Sequence, residues 1–303
     1  MRIVSLLPSA TEIVWAIGQG PSLVGRSDEC DYPASVRSLP VVMRARAWDG
    51  ERPSAEIDAR VRRSLAGGES LYELDLDRLA QLRPDLLITQ DLCAVCSVTE
   101  AEVQSSCAVA GIAPRIVSVS PRTLDDVVES FRTIAAAIGV PEAGDRLARE
   151  FTRRLGSVRP GEHSPTIAVL EWLDPPIVAG LWTIDLIERA GARPYGVARP
   201  AAHLRTTWDA LEADPPDLVV VAPCSFPIER TRRELARDPN LSERLARIES
   251  RFGVLLADES YFSRPGPRLA GAPELLRQGL SGAALPRSRF NAERLRPPLE
   301  VSA

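Results

Sequence analysis

A short pattern that occurs twice limits the folds open to this chain more than any other feature. Residues 77–88 and 209–220 both read Asp-x-Leu-x4-Pro-Asp-Leu, followed by two aliphatic residues. Each copy predicts a helix, a Pro-Asp turn that ends it, and a buried strand. Such a connection is common in α/β proteins, but its equal spacing in the two halves favours two lobes of similar topology.

Short apolar runs alternate with helical periodicity along the whole chain. The alternation predicts parallel sheets covered by helices on both faces, that is, an α/β fold with two Rossmann-like lobes. We expect strands at residues 3–6, 23–25, 86–89, 116–119, 166–170, 218–222 and 254–257. The predicted helices cover residues 56–65, 77–82, 100–110, 184–189, 208–213, 229–235 and 273–280.

The length of 303 residues suits two domains of about 150 residues each. Residues 123–138 and 141–155 have long helical periodicity with no strand between them, which predicts a bridging helix. The end of the chain is rich in Arg and Pro, and we expect it to wrap the surface or fray. The predicted organisation is an N-terminal lobe (1–120), a bridging helical segment (121–158), a C-terminal lobe (159–285) and a tail (286–303).

Charge and the first residues argue against several classes of protein. A net charge of −4 without a Lys/Arg block argues against a nucleic-acid partner. The apolar run from Ile3 stops at Pro8, so we expect the chain to open with a strand rather than a signal peptide. Residues 9–12, Ser-Ala-Thr-Glu, predict a capping box on the first helix. No apolar run approaches the ~20 residues of a membrane span, and we expect a cytoplasmic protein.

The segments that follow the predicted strands contain the candidate ligand-binding residues. Ligands of open parallel sheets bind beyond the carboxyl ends of the strands. Aromatic residues make up only 5% of the chain, yet many of them fall in or next to these segments. A cleft between the lobes lined by such rings suits a large, flat or partly apolar ligand, although the rings could instead fill the lobe interface. The candidates are Pro8, Ser9, Glu29, Asp31, Tyr32, Asp91, Trp172, Trp182, Phe226, Glu259, Tyr261 and Phe262.

The cysteines form a second group of candidates. In a reducing compartment thiols stay free, and Cys93-x2-Cys96 could bind a soft metal or act as a redox pair. Cys30 follows a neighbouring predicted strand, so these three could hold zinc or iron, with Cys224 as a further candidate ligand. The alternative is that they are small buried residues. Cys107 lies among apolar residues of a predicted helix and is expected in the core.

The usual markers of several enzyme classes are absent from the sequence. It contains no G-x-S-x-G elbow, no G-x-G-x-x-G and no P-loop. Of the two histidines, His163 lies in a linker and is expected to be exposed, while His203 precedes a predicted helix and could edge the cleft. Catalytic residues therefore stay unassigned.

Five segments carry a resemblance to a known family: residues 3–12, 30–33, 83–88, 174–180 and 261–268. The segments, and the order in which they occur, are similar to those of the vitamin B12-binding proteins that serve ABC importers. The similarity runs from residue 1 to about residue 280. Residues 29–33, 90–96 and 222–224 more closely resemble a cytoplasmic-looking branch of cobalamin-binding proteins. The resemblance implies a periplasmic-binding-protein-like fold, with two Rossmann-like lobes joined by a long helix and the ligand in the cleft between them.

Three functions follow as hypotheses. The first is a cytoplasmic binding protein for a corrinoid such as cobalamin, or for another metal chelate, without catalysis. The second is an enzyme that uses the same cleft, with Cys30, Cys93 and Cys96 as metal ligands or nucleophiles. The third is a metal-storage or sensing protein that depends on the thiols alone. No partner protein is indicated by the sequence.

Overall fold

The structure is a computed structural model. It describes residues 1–46, 51–91, 98–156, 158–283, 285 and 290–296, the last of these without the side chain of Arg296. The chain divides into two compact units. The first comprises Met1–Arg52 and Glu56–Phe151, and the second comprises Pro53–Ala55 and Thr152–Ala303.

Within the described residues, the first unit contains a six-stranded sheet in the order β4-β3-β2-β1-β5-β6. Four pairings in this sheet are parallel, and only β4 runs antiparallel to its neighbour. Buried aliphatic side chains such as Val4 and Leu87 lie at the centre of its core. The strands are β1 (Ile3–Ser5), β2 (Leu23–Ser27), β3 (Val41–Ala45), β4 (Tyr72–Leu74), β5 (Leu86–Thr89) and β6 (Arg115–Ser118).

Side-chain caps determine where several helices of this region begin. Thr99 and Thr123 each form a complete capping box with the acidic residue three positions later. The capping box predicted at residues 9–12 is wrong, because the first helix already begins at Pro8 and Leu7 occupies its N-cap. The helices are α1 (Pro8–Ala16), α2 (Ser54–Ala66), α3 (Leu76–Leu82), α4 (Glu100–Val109) and α5 (Leu124–Ile138).

The predicted bridging segment consists of two helices. Helix α5 ends at Gly139, which adopts the left-handed conformation (φ 89°) that lets a chain leave a helix without strain. The next helix, α6 (Pro141–Leu155), begins in the first unit and ends in the second, with the boundary between Phe151 and Thr152. The chain therefore passes from one unit to the other within α6.

Within the described residues, the second unit contains a seven-stranded sheet. Strands follow the order β10-β8-β7-β11-β12-β13, and β9 pairs with β7. They are β7 (Thr166–Trp172), β8 (Ile177–Ala179), β9 (Arg193–Pro194), β10 (His203–Arg205), β11 (Leu218–Val221), β12 (Val254–Ala257) and β13 (Ala292–Arg296). Its helices are α7 (Trp182–Arg189), α8 (Trp208–Ala213), α9 (Ile228–Arg237), α10 (Pro239–Arg247) and α11 (Ala272–Leu280).

The expected α/β fold with two sheet-containing units is confirmed, and its parallel strands form the middle of each sheet. Both sheets are mixed rather than wholly parallel, because β4, β8 and β13 run antiparallel to a neighbour. No helix in the described ranges is both long and apolar enough to cross a bilayer.

The repeated pattern has the same structural role in both units. Its aspartates follow the Pro turn, and each binds the first residue of the neighbouring parallel strand or the residue before it. Asp85 Oδ2 accepts a hydrogen bond from Arg2 N at 2.6 Å, and Asp217 Oδ2 accepts one from Thr166 N at 2.7 Å. The helix of each copy also starts at an equivalent cap, Asp75 for α3 and Thr207 for α8. The repeat thus fixes the register of β1 with β5 and of β7 with β11.

The expectation that residues 286–303 only wrap the surface or fray is wrong for part of the tail. Residues Ala292–Arg296 form β13, which pairs antiparallel with β12 at the edge of the second sheet. Arg294 fixes this strand, because its guanidinium donates to Phe252 O at 2.7 Å and to Gly279 O at 2.8 Å. Three of the strand's five residues are charged (Glu293, Arg294 and Arg296), which concealed the strand in the sequence. Charged side chains are common at sheet edges.

We expect Asp217→Ala to destabilise the second unit. The substitution removes two bonds from Thr166, whose N and Oγ1 lie 2.7 and 3.1 Å from Asp217 Oδ2. Hydrogen bonds to a charged group of this kind contribute roughly 1–3 kcal/mol. The urea midpoint should fall accordingly, whereas Asp214→Ala, an exposed neighbour in the same connection, should leave it nearly unchanged. Equal midpoints for the two variants would contradict the role assigned to the repeat.

Candidate functional site

In the first unit, the predicted site residues lie at one edge of the sheet. Strands β1, β2 and β5 are adjacent and parallel, so the segments that follow them emerge on the same side. Pro8 and Ser9 form the first turn of α1. Glu29, Asp31, Tyr32 and Asp91 follow the other two strands. Contact of these residues with a ligand stays a prediction.

A buried arginine holds the segment after β2 in place. Arg26 is only 9% exposed, and its guanidinium donates to the carbonyls of Ser27 at 2.9 Å, Asp28 at 3.1 Å and Arg37 at 3.0 Å. Three backbone acceptors around one charge fix the course of the chain here. Sequence reasoning missed this residue, because a lone Arg inside a strand gives no signal of what it will bind.

Tyr32 lies on this anchored segment and is half-exposed, at 49%. Beside it, Arg37 Nε donates to the carbonyl of Asp31 at 3.2 Å. Of the predicted residues in this unit, Tyr32 is the one that offers a flat ring to a ligand.

Asp91 has a structural partner. Its Oδ1 accepts from Glu100 N at 2.9 Å, at the first turn of α4, while its own N–H donates to Ser120 Oγ at 2.9 Å. An acidic group at a helix N-terminus is stabilised by the free N–H groups and the helix dipole. The carboxylate therefore orders the start of α4.

The structure locates three of the five cysteines. Cys30 is completely buried, with Thr11 Oγ1 3.0 Å from its Sγ. Cys107 lies in the core of the first unit as expected, and burial raises the pKa of its thiol. Cys224 is partly buried after β11. Cys93 and Cys96 lie outside the described residues, so the proposed thiol cluster stays a prediction.

No metal site is found in the part of the chain that the structure describes: it contains no group of three or more His, Cys, Asp or Glu arranged to hold an ion. His163 is exposed, as expected, and lies in a turn. His203 is exposed on the edge strand β10, where it pairs with Ala179.

In the second unit, an aromatic and cationic cluster follows β7 and β11. The rings of Trp172 and Phe226 pack edge to face with centroids 5.4 Å apart. Arg230 also contacts this ring, with Cζ 3.6 Å from the centre of the Phe226 ring, a cation–π contact. Phe226 is therefore enclosed and only 1% exposed, whereas Trp172 is partly exposed.

The indole N–H of Trp172 is an unusual feature of this cluster. Its Nε1 is buried without a hydrogen-bond partner among the described residues. A buried donor left without an acceptor costs free energy, and such groups in native proteins often mark a functional position.

The segment after β12 is built around a buried ion pair. Arg264 Nη2 lies 2.6 Å from Glu259 Oε1, and both side chains are less than one tenth exposed. Trp182 is buried nearby and donates its indole N–H to Phe262 O at 2.6 Å. Phe262 is likewise buried, so Tyr261 is the predicted aromatic residue of this segment that remains partly exposed.

The predicted aromatic set thus divides into two groups. Trp182, Phe226 and Phe262 are buried and hold the loops of the second unit together. Tyr32, Trp172 and Tyr261 reach the surface at the carboxyl ends of strands in their own units. The cleft predicted from the sequence, and the ligand-binding role of each residue, stay predictions.

The fold places this chain in a known class of protein. Two units, each a mixed sheet flanked by helices, define the architecture of the class III periplasmic binding proteins of ABC importers. The family model described as "Periplasmic binding protein" matches residues 3–251, and the chain belongs to that family.

The relatives found by sequence have low identity to this chain, but the match covers most of their length. The vitamin B12-binding protein of Pectobacterium carotovorum subsp. carotovorum (strain PC1) is 23% identical over 276 residues, 88% of this chain and 84% of that protein. Its counterpart in Photorhabdus laumondii is 22% identical over 286 residues, covering 93% and 88%.

Solved structures show the same fold. A periplasmic heme-binding protein from Pseudomonas aeruginosa matches with a TM-score of 0.69 at 20% identity, covering 97% of this chain and 98% of that one. The periplasmic vitamin B12-binding protein of Vibrio cholerae matches with a TM-score of 0.65 at 18% identity, covering 92% and 96%. The resemblance noted in the sequence is confirmed.

We expect Glu259→Gln to destabilise the protein strongly, because it leaves Arg264 buried without its carboxylate partner. Breaking a buried ion pair on one side costs about 3–5 kcal/mol. The double variant Glu259→Gln/Arg264→Met should recover part of that loss in thermal unfolding. A control at an exposed acid, Glu162→Gln, should leave the transition unchanged. The interpretation fails if the double variant is as unstable as the sum of both single variants.

Proposed function

We propose that this protein binds a metal-containing macrocycle, a corrinoid in the first place, without chemically changing it. The observation that carries the proposal is the similarity, along most of the chain, to proteins named for binding vitamin B12. The family match over residues 3–251 supports it. The two solved structures described above are named for binding heme and vitamin B12. Both ligands are large, flat macrocycles with a central metal ion.

The surface aromatic residues support this ligand class. A flat macrocycle gains most from rings that stack on its face or pack against its edge. Tyr32, Trp172 and Tyr261 are aromatic residues placed partly in solvent at the ends of strands. Each of these rings is a candidate contact for the proposed ligand.

Corrinoid is favoured over heme because the relatives found by sequence are all named for vitamin B12. Heme is the second candidate within the same ligand class. The described part of the chain offers no observation in favour of the enzymatic alternative, since Cys30 Sγ is completely buried beside Thr11.

Titration with cyanocobalamin and, separately, with hemin tests the proposal. We expect one of them to bind with a Kd in or below the micromolar range, which corresponds to a binding free energy of about −8 kcal/mol or stronger. Its binding should quench tryptophan fluorescence. Trp172→Phe should remove a clear part of the quenching.

The control is Trp15→Phe. Trp15 is 38% exposed and lies at the last turn of α1, the end of that helix away from the candidate loops. This variant should keep the affinity and the fractional quenching of the wild type. If neither ligand binds at 100 μM, which as a Kd corresponds to a binding free energy of roughly −5.5 kcal/mol, the proposed function is refuted.

A cytoplasmic location and a thiol-bound metal are two further parts of the proposal. Cys107 is a free thiol, which is compatible with a reducing compartment. We expect the protein in the cytosolic fraction of its host and, after anaerobic purification, near-stoichiometric zinc or iron that the variant Cys93→Ser/Cys96→Ser lacks. Export of the protein would contradict the location, and metal-free wild type would leave the thiols as packing residues.

A further inference from the structure

The end of the chain contacts the segment that carries Tyr261. Phe290 packs against Tyr261 edge to face, with ring centroids 6.3 Å apart, and is itself buried. The next residue, Asn291, donates its backbone N–H to the Tyr261 hydroxyl oxygen at 3.4 Å. One ring contact and one hydrogen bond therefore hold the Tyr261 side chain from the same short segment.

Asn291 also joins this segment to the end of β12. Its Nδ2 donates to Asp258 Oδ2 at 3.0 Å, and its carbonyl accepts from Asp258 N at 2.9 Å. The other oxygen of the Asp258 carboxylate accepts from Ser260 N at 3.2 Å and from the Ser260 hydroxyl. Asp258 thus connects Asn291 to the backbone immediately before Tyr261.

Strand β13 fixes Phe290 and Asn291 from the other side. Arg232 of α9 forms a two-pronged ion pair with Glu293, with N–O distances of 2.7 and 2.8 Å. Arg294 donates to carbonyls of Phe252 and of the last turn of α11. The strand is held by charge-assisted bonds at two successive residues, so the residues before it have little freedom.

We propose that the C-terminal segment Phe290–Arg296 positions Tyr261 for ligand binding, with Phe290 and Asn291 as the positioning residues. The inference rests on the proposed function, because it takes Tyr261 to be one of the rings against the ligand. These contacts lie beyond residue 251, where the family match ends. A ring held on one side and open on the other loses little freedom when a ligand stacks on it, which favours tight binding.

The titration of the Tyr261 phenol reports this contact without any ligand. Burial raises its pKa, the bond from Asn291 N lowers it, nearby Asp258 raises it, and Arg268 and Arg154 lower it. In Phe290→Ala the phenol becomes more exposed to water, so its pKa should fall towards the ordinary value of a tyrosine. Labelling tyrosine with ¹³C at the phenolic carbon gives one NMR signal per residue, and Tyr261→Phe identifies the signal of Tyr261.

The affinity for cyanocobalamin or hemin is the second readout. We expect Phe290→Ala to weaken binding roughly two- to ten-fold, the range of a lost aromatic pair. Asn291→Ala should weaken it by a smaller factor and is the milder variant should Phe290→Ala fold poorly. Glu212→Gln is the matched control: it weakens the ion pair with Arg244 in the same unit, outside the segment Phe290–Arg296, and should keep the pKa of Tyr261 and the affinity.

The outcomes separate this inference from the proposed function. An unchanged Tyr261 titration in both Phe290→Ala and Asn291→Ala overturns the inference, whether or not a ligand binds. A shifted titration with unchanged affinity overturns it as well. A shifted titration in a wild-type protein that binds neither ligand refutes the proposed function and the ligand role of Tyr261, while its positioning by Phe290 stands. A shift and a loss of affinity that Glu212→Gln does not reproduce support both.

Discussion

The candidate site depends on the hydrogen bond by which one aspartate in each unit holds the start of a neighbouring parallel strand. Asp85 binds Arg2 N, and Asp217 binds Thr166 N. Each bond sets the register of the two central strands, and that register decides which residues emerge together at their carboxyl ends. A shift of one residue would turn every buried side chain of the strand to the opposite face. The first turn of α1, which follows β1, and Trp172 at the end of β7 therefore depend on these two carboxylates.

Buried arginines stabilise the loops that follow the strands. Arg26 binds three carbonyls after β2, Arg230 covers the ring of Phe226, and Arg264 pairs with Glu259. Each guanidinium provides several donors in a fixed plane, so one side chain can satisfy backbone or carboxylate groups that would otherwise be buried without partners. Loops held in this way can expose an aromatic ring without losing their shape. The buried guanidinium groups thus hold the loops that expose aromatic side chains at the surface.

The central parallel strands could be predicted because they are continuous aliphatic runs between helical patterns. Residues 86–89, 218–221 and 254–257 are buried at every position, and such runs are recognisable without a partner. The antiparallel strands could not be predicted in this way. Strands such as β8 and β10 have three residues, and three of the five residues of β13 are charged. Their pairing depends on a neighbouring edge that exists only after the central strands have assembled.

The sequence by itself determined the two-unit α/β architecture, the repeated helix-to-strand connection and the family, because these depend on local periodicity and on motifs in order along the chain. It also predicted the segments where a ligand would bind. Only the tertiary structure decided which of their rings are buried. Phe226 is covered by Arg230, and Phe262 is buried with its carbonyl bonded to Trp182. Tyr261 remains partly exposed and is held by Phe290, a residue from the supposed tail. Burial depends on partners distant along the chain, and no local pattern encodes which partners those are.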